Sequence, residues 1–350
     1  MSILGRRDCV GPVARSLLLC LPFAWAGCSG GAGSGDQVAG GAFVVLETYP
    51  ENNGRVYLNE SVRIKFSNPI DLASANFNSV AFLVRDSNGN PLSESVVGAF
   101  RYGKNENGDT DQRTLEFVPR LATNDTYTDG GFRAGRQYVL SLVNATNKAA
   151  PTVRDADGRA LSADTPIRGM SFTTVSGSTS QELFLDRAVG GPRVVSVDVS
   201  PMIGDRVSLN ELGGVPVEVA VRFNQALNPA SNNVPQRQPV DPVRDAARRQ
   251  GRIFLEYDDP EFGTKRWIRA EVEMPLNNLT EALVTLRPDG ILPNDAEVRL
   301  IIENTLQDIS GESNLRDPNY QRVITTFKTE ARHAAQFDAV VFDFETSDYS

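Results

Sequence analysis

Few side chains in this chain can do nucleophilic or acid–base work. There is one histidine, His333, and the three cysteines, Cys9, Cys20 and Cys28, all fall within the first 28 residues. A serine or cysteine nucleophile needs an adjacent base, and a zinc site needs several His or Cys ligands, so this inventory excludes most such centres. His333 stands in a polar stretch and reads as solvated. Paired carboxylates are the remaining catalytic chemistry, because two of them held about 5–9 Å apart across a cleft can hydrolyse a glycosidic bond. Glu271 and Glu273 alternate with Ala270, Val272 and Met274, which puts both on one face of a strand. A solvated sheet face accounts for them without catalysis, and Glu218 and Glu256 fall to the same argument.

Hard oxygen ligands are more plentiful, and calcium is the metal they suit. Asn105, Asn107, Asp109 and Asp111 alternate around Gly108, and Asp155 and Asp157 precede Gly158. Neither run has the twelfth-position glutamate of an EF-hand loop. Hairpin turns also use Asn and Asp for local hydrogen bonds and positive φ. Calcium is the one cofactor these six residues leave open.

Two further groups bear on binding. Tyr257 and Trp267 lie on neighbouring predicted strands with Phe262 in the turn between them; an exposed aromatic face would stack a sugar, and a sandwich core would want the same residues. The stretch Asn228–Gln250 carries Arg237, Arg244, Arg248 and Arg249 among Pro229, Pro235, Pro239 and Pro242. Proline lacks the donor a sheet ladder needs, so the stretch is expected to leave the fold as a surface loop, with a short helix opened at Asp241-Pro242 and stopped by Gly251. Such a loop is either a tolerated insertion or a contact for an acidic partner, a surface polysaccharide or another copy of the chain.

The elements that must position these residues are strands, and the chain writes them twice. Val44-Val45-Leu46-Glu47-Thr48-Tyr49-Pro50 is followed by Arg55-Val56-Tyr57-Leu58-Asn59-Glu60; Val195-Ser196-Val197-Asp198-Val199-Ser200-Pro201 is followed by Arg206-Val207-Ser208-Leu209-Asn210-Glu211. Pro201 against Pro50 and Arg206 against Arg55 keep one offset of 151 positions. A repeat of that length is a repeated domain, since solenoid units recur at about 20–50 residues. Each copy continues into an alternating strand ending at Phe66 or Phe223. Strands with Asx- and Gly-rich breaks between them follow, and no long segment has helical periodicity. The expected organisation is a first domain over 43–175, a linker over 176–192 whose Leu183-Phe184-Leu185 packs at the joint, and a second domain over 193–330. Within 331–350, Phe337 to Thr346 reads as a further strand, the start of another domain or a strand that pairs back onto the second.

The first 27 residues read as an export signal, with Arg6, Arg7 and Arg15 before an apolar run too short to span a bilayer securely. The run ends Ala24-Trp25-Ala26-Gly27-Cys28, which resembles a bacterial lipobox with Cys28 as the lipidated residue; Trp25 departs from the usual aliphatic residue there. A plain secretory leader is the alternative. Residues 28–42 then form a Gly-rich tether. Ser29 after the cysteine resembles the sorting signal for an outer membrane. Acidic residues outnumber basic ones, 44 to 35, which argues against nucleic acid as a partner.

Each copy also has a strand ending Phe-Ser/Asn-x-x-Ile/Leu, a Leu/Val-x-Phe/Leu-x-Pro strand end, an Asp-x-x-Gly loop and a closing Phe-x-Thr. This pattern is similar to the bacterial Ig-like domains found in S-layer and other envelope proteins. The resemblance implies an all-β protein of two tandem seven-stranded Ig-like sandwiches, serving as spacer or adhesive modules with no shared catalytic residues. The function expected is a non-catalytic, exported, envelope-anchored structural or adhesive protein, held to the membrane by lipid. The alternatives are a carbohydrate-binding module, or the non-catalytic front part of a larger secreted enzyme.

Overall fold

The computed structural model describes residues 41–143, 151–188, 190–210, 214–234 and 251–331. The export signal expected over 1–27, Cys28, the arginines Arg237, Arg244, Arg248 and Arg249, His333 and the strand expected over Phe337–Thr346 lie outside those residues.

Period-two alternation sets the strands, because successive side chains point to opposite sheet faces. Over Val62–Phe66 the Val, Ile and Phe are buried and Arg63 and Lys65 exposed. Over Glu218–Phe223 the residues Val219, Val221 and Phe223 are buried in the same way. The first half of the chain forms β1 (Val45–Tyr49), β2 (Gly54–Val56), β3 (Val62–Phe66), β4 (Ile70–Asp71), β5 (Val80–Arg85), β6 (Pro91–Leu92), β7 (Gly98–Lys104), β8 (Thr110–Pro119), β9 (Gln137–Leu142), β10 (Arg154–Asp155) and β11 (Gly169–Thr174). After a single helical turn, α1 (Ser180–Leu183), come β12 (Val194–Ser200), β13 (Met202–Ile203), β14 (Arg206–Val207), β15 (Glu218–Phe223), β16 (Ile253–Asp259), β17 (Gly263–Ile268), β18 (Ala270–Asn277), β19 (Ala282–Pro288), β20 (Glu297–Ile302) and β21 (Val323–Lys328). Among the described residues no helix is long and apolar enough to cross a membrane.

The fold is all-β, and the sheets show the repeat in space. One sheet runs β1-β3-β8-β7, and its counterpart runs β12-β15-β19-β18. The facing sheets run β2-β11-β9-β5-β6 and β17-β16-β20-β21. Register repeats as well, with Val45 opposite Phe66 and Val194 opposite Phe223, each beside a bulge. The strand count exceeds the seven implied by the resemblance, since the first pair of sheets has four and five strands and short two-stranded ladders flank both pairs. These extra ladders are two-residue pairings at the ends of turns, too short to leave an alternation in the sequence.

The two cores differ in kind. The first is aromatic, with Phe117, Phe132, Tyr138 and Phe172 in successive ring contacts and Tyr138 stacked on Phe172 at 5.3 Å. The second is aliphatic, built on Val219, Val221, Leu255, Val272, Leu286 and Leu300 around Phe223.

Candidate functional site

The two Asp-x-x-Gly loops are the same object built twice, and they differ in one charge. Asp155 and Asp308 are 1% and 2% exposed. In each loop one carboxylate oxygen accepts the N–H groups two and four residues on: Asp157 and Arg159 for Asp155, Ser310 and Glu312 for Asp308. The loop closes through a glycine, Gly158 at φ +81° and Gly311 at φ +92°, a conformation that a side chain disfavours. The other oxygen accepts an amide, from Asn68 in the first copy and Gln225 in the second. In the first copy Arg159 then neutralises the buried acid at 2.7 Å. In the second, the residue at that place is Glu312.

Asp308 is therefore a buried carboxylate with no ion pair to a cation among the described residues. Asp186 and Glu312 bring their own carboxylate oxygens to it, all within 4.8 Å of one another. Burial first, and the charge of Asp186 with it, pushes the Asp308 carboxyl up to about 6, against hydrogen bonds from Ser310 and Glu312 that lower it. A folded-state value above the ordinary 3.8 means that the folded form holds the proton more tightly. The contribution of Asp308 to stability is complete below the ordinary value and is lost as pH rises through about 6. Thermal melts should show the chain gaining stability from pH 7 to pH 5, and Asp308→Asn should flatten that gain. An unchanged slope in the Asn variant would remove Asp308 as its source.

Asp308 belongs to a joint. Its neighbour Ile309, together with Ala226, is buried in the first core cluster, alongside Leu183 and Phe184 of the connecting segment, and Leu279 packs against it. Tyr127 donates its hydroxyl to Asn228 Oδ1 at 2.8 Å, and Asn228 Nδ2 donates to Ser180 Oγ at 3.1 Å. Asn277 Nδ2 donates to the carbonyls of Ala122 and Leu227. Asn59 exchanges two hydrogen bonds with the Leu185 backbone. Tyr127 adopts φ +55°, left-handed backbone that is uncommon for a tyrosine, and it does so where its hydroxyl meets Asn228. The start of the proline-rich stretch thus does not leave the fold. Asn228, Asn233 and Val234 are 4%, 0% and 0% exposed, because Asn233 donates to the carbonyls of Asn228 and Gln307 and ties the chain inward.

The other candidates are dispersed. Asn105 lies at the β7–β8 turn and accepts the N–H groups of Asn107 and Asp109, while Asp111 accepts from Arg113 N and Thr114 Oγ1. These are the local bonds of a hairpin turn, and in the second loop Asp155 and Asp157 are both bonded to Arg159. Glu271 and Glu273 are exposed on β18, and Arg287 joins Glu273 to Glu218. Glu256 departs from the solvated-face expectation. It is 1% exposed, under Arg322 and Arg299, because β16 is an inner strand whose outer face those arginines cover. Tyr257 and Trp267 do not share an exposed face. Trp267 sits opposite Glu256, one residue out of step with Tyr257, so the two rings point to opposite sides of the sheet. Tyr257 packs on the core, and Trp267, 5% exposed, clusters with Phe254 and Ile301.

No protein-family model matches the sequence, and no curated protein does. Among solved structures the chain is similar to the N-terminal part of the bacterial S-layer protein SbsC at 10% identity and a TM-score of 0.21, over 84% of this chain and 45% of that one. The chain spans less than half the length of that structure, and the likeness is too loose to carry function.

Proposed function

We propose that the chain is a non-catalytic structural or adhesive protein of the cell envelope, whose two Ig-like sandwiches hold a surface at a set distance from a membrane anchor. The observation that supports this most is the joint. A spacer transmits distance only if its modules do not swing. Here Ala226 and Ile309 of the second half are buried with the first core, and Tyr127, Asn228 and Ser180 are bonded across the boundary in buried surroundings. The leader's resemblance to a lipoprotein signal supports the envelope location. The scarcity of nucleophile–base pairs supports a role without catalysis.

Spin labels on cysteines introduced at Leu83 and Phe262, exposed positions in the two halves, test the reading in a chain whose own cysteines are replaced by serine. The expected result is one narrow distance distribution. Asn228→Ala leaves the Tyr127 hydroxyl without its buried acceptor, at about 1–3 kcal/mol, and is expected to broaden it. A broad distribution in the parent would sink the spacer reading.

A further inference from the structure

The outer face of the β1-β3-β8-β7 sheet carries a groove of about 660 Å³, bounded by the end of β1 on one side and the β7–β8 turn on the other. Two rows of side chains make its floor. Tyr49 stands opposite Arg63, and Glu47 opposite Lys65, with Thr114 next to Lys65 in the following strand. Lys104, Asn105 and Asn107 form the far wall.

Three features mark this groove. First, its cations are not ion-paired among the described residues. Several arginines of the sheets, Arg101, Arg222, Arg287 and Arg299 among them, are bonded to carboxylates. Arg63, Lys65 and Lys104 make no ion pair with the described residues. Glu116, the carboxylate beside Arg63, is bonded to Arg101 and Ser61 instead. Second, Arg63 is pre-oriented. Its guanidinium lies 4.7 Å from the centre of the Tyr49 ring, and the ring is held by a 3.0 Å hydrogen bond from its hydroxyl to Glu60. A stacked guanidinium keeps its N–H edge free for an anion. Third, the fold does not require this arrangement. The matching row of the second sheet has Asp198 opposite Ala220.

We propose that this groove binds an acidic oligosaccharide carrying one carboxylate per sugar. Arg63 takes the carboxylate, with Lys65 on the same strand and Lys104 on the far wall as further cations. Asn105, Asn107, Thr114 and the groove carboxylates Glu47 and Glu106 take hydroxyl groups, and the exposed part of Tyr49 meets a sugar ring. The mixed lining favours this class. A neutral sugar has no use for Arg63, Lys65 and Lys104, which have no ion pair among the described residues, and a dense polyanion would meet the four carboxylates Glu47, Glu51, Glu106 and Asp111. A peptide would want apolar pockets, and the lining has none. This site goes beyond the spacer reading and does not depend on it.

Calorimetric titration of the full chain with a galacturonic acid tetramer, beside the neutral galactose tetramer, tests the proposal at low salt. The acidic tetramer is expected to bind saturably and at least about tenfold more tightly than the neutral one, as one charge-assisted contact implies. Arg63→Gln should remove about that tenfold preference. Tyr49→Ala should weaken both tetramers, and Lys328→Gln, on β21, should change nothing. Arg63 is exposed on the sheet, so the Gln variant keeps the core, and an unchanged circular dichroism spectrum verifies this. Equal binding of the two tetramers, an unaffected Arg63→Gln variant, equal binding of tetraglutamate, or no saturable binding would each overturn the proposal.

Discussion

Replacing Phe66 with alanine is expected to cost about 3–5 kcal/mol, and Phe223→Ala a similar amount, because each leaves a cavity in a packed core. Both side chains are 0% exposed and end strands of equivalent place in the repeat. Phe66 is expected to be the costlier loss. It stacks on Phe43 at 5.0 Å, an aromatic pair worth about 0.5–1.5 kcal/mol beyond buried area, whereas Phe223 is packed among aliphatic residues. Denaturant unfolding of the two variants measures this by circular dichroism. Trp267, the only tryptophan besides Trp25, reports the second half by fluorescence once Trp25 is replaced by phenylalanine. If the joint makes the two halves one cooperative unit, Phe66→Ala shifts the Trp267 transition as well. A change under about 0.5 kcal/mol in either variant would mean a surface position, and the alignment of the repeat would fall with it.

Phe66 and Phe223 were legible in advance because a strand buried on one face advertises itself locally, in five residues of alternation. Hairpin turns are legible for the same reason: Asn105 needs only Asn107 and Asp109 to make its bonds. The joint is different. Asn228 has its partners at Tyr127 and Ser180, 101 and 48 positions away, and nothing near it in sequence separates it from a surface asparagine. The proline-rich composition after it points outward, and Asn233 shows how two side-chain hydrogen bonds override that signal. Alternation puts Trp267 and Tyr257 on neighbouring strands, as the structure does, but their faces depend on register, and one residue of offset reverses a side chain. The acid cluster had a trace in the sequence. The Asp-x-x-Gly loops align, and the change from Arg159 to Glu312 can be read there, although the burial that gives it consequence cannot.

Glu256 carries the second large expected effect, and here local alternation misleads. Alternation makes it the outward residue of β16, so a solvated face predicts a loss under about 0.5 kcal/mol on replacement. The structure predicts otherwise. Arg322 grips both carboxylate oxygens at 3.1 and 3.2 Å, and Arg299 approaches at 3.3 Å. Arg322 also pairs with Glu303 and Arg299 with Asp258, so the charges alternate in a network over Phe254 and Trp267. Glu256→Ala is expected to cost about 2–3 kcal/mol, because Arg322 and Arg299 lose the buried acceptor they share while Glu303 and Asp258 still pair with them. Glu256→Gln keeps acceptor and shape and should cost less, about 1 kcal/mol. A double-mutant cycle with Arg322→Met isolates the pair, and a coupling above about 1 kcal/mol is the expected result. A coupling near zero with a small single-variant loss would return Glu256 to the solvated face. The same geometry bears on function, since a carboxylate that is 1% exposed and has both oxygens taken by Arg322 has neither oxygen free to reach a substrate.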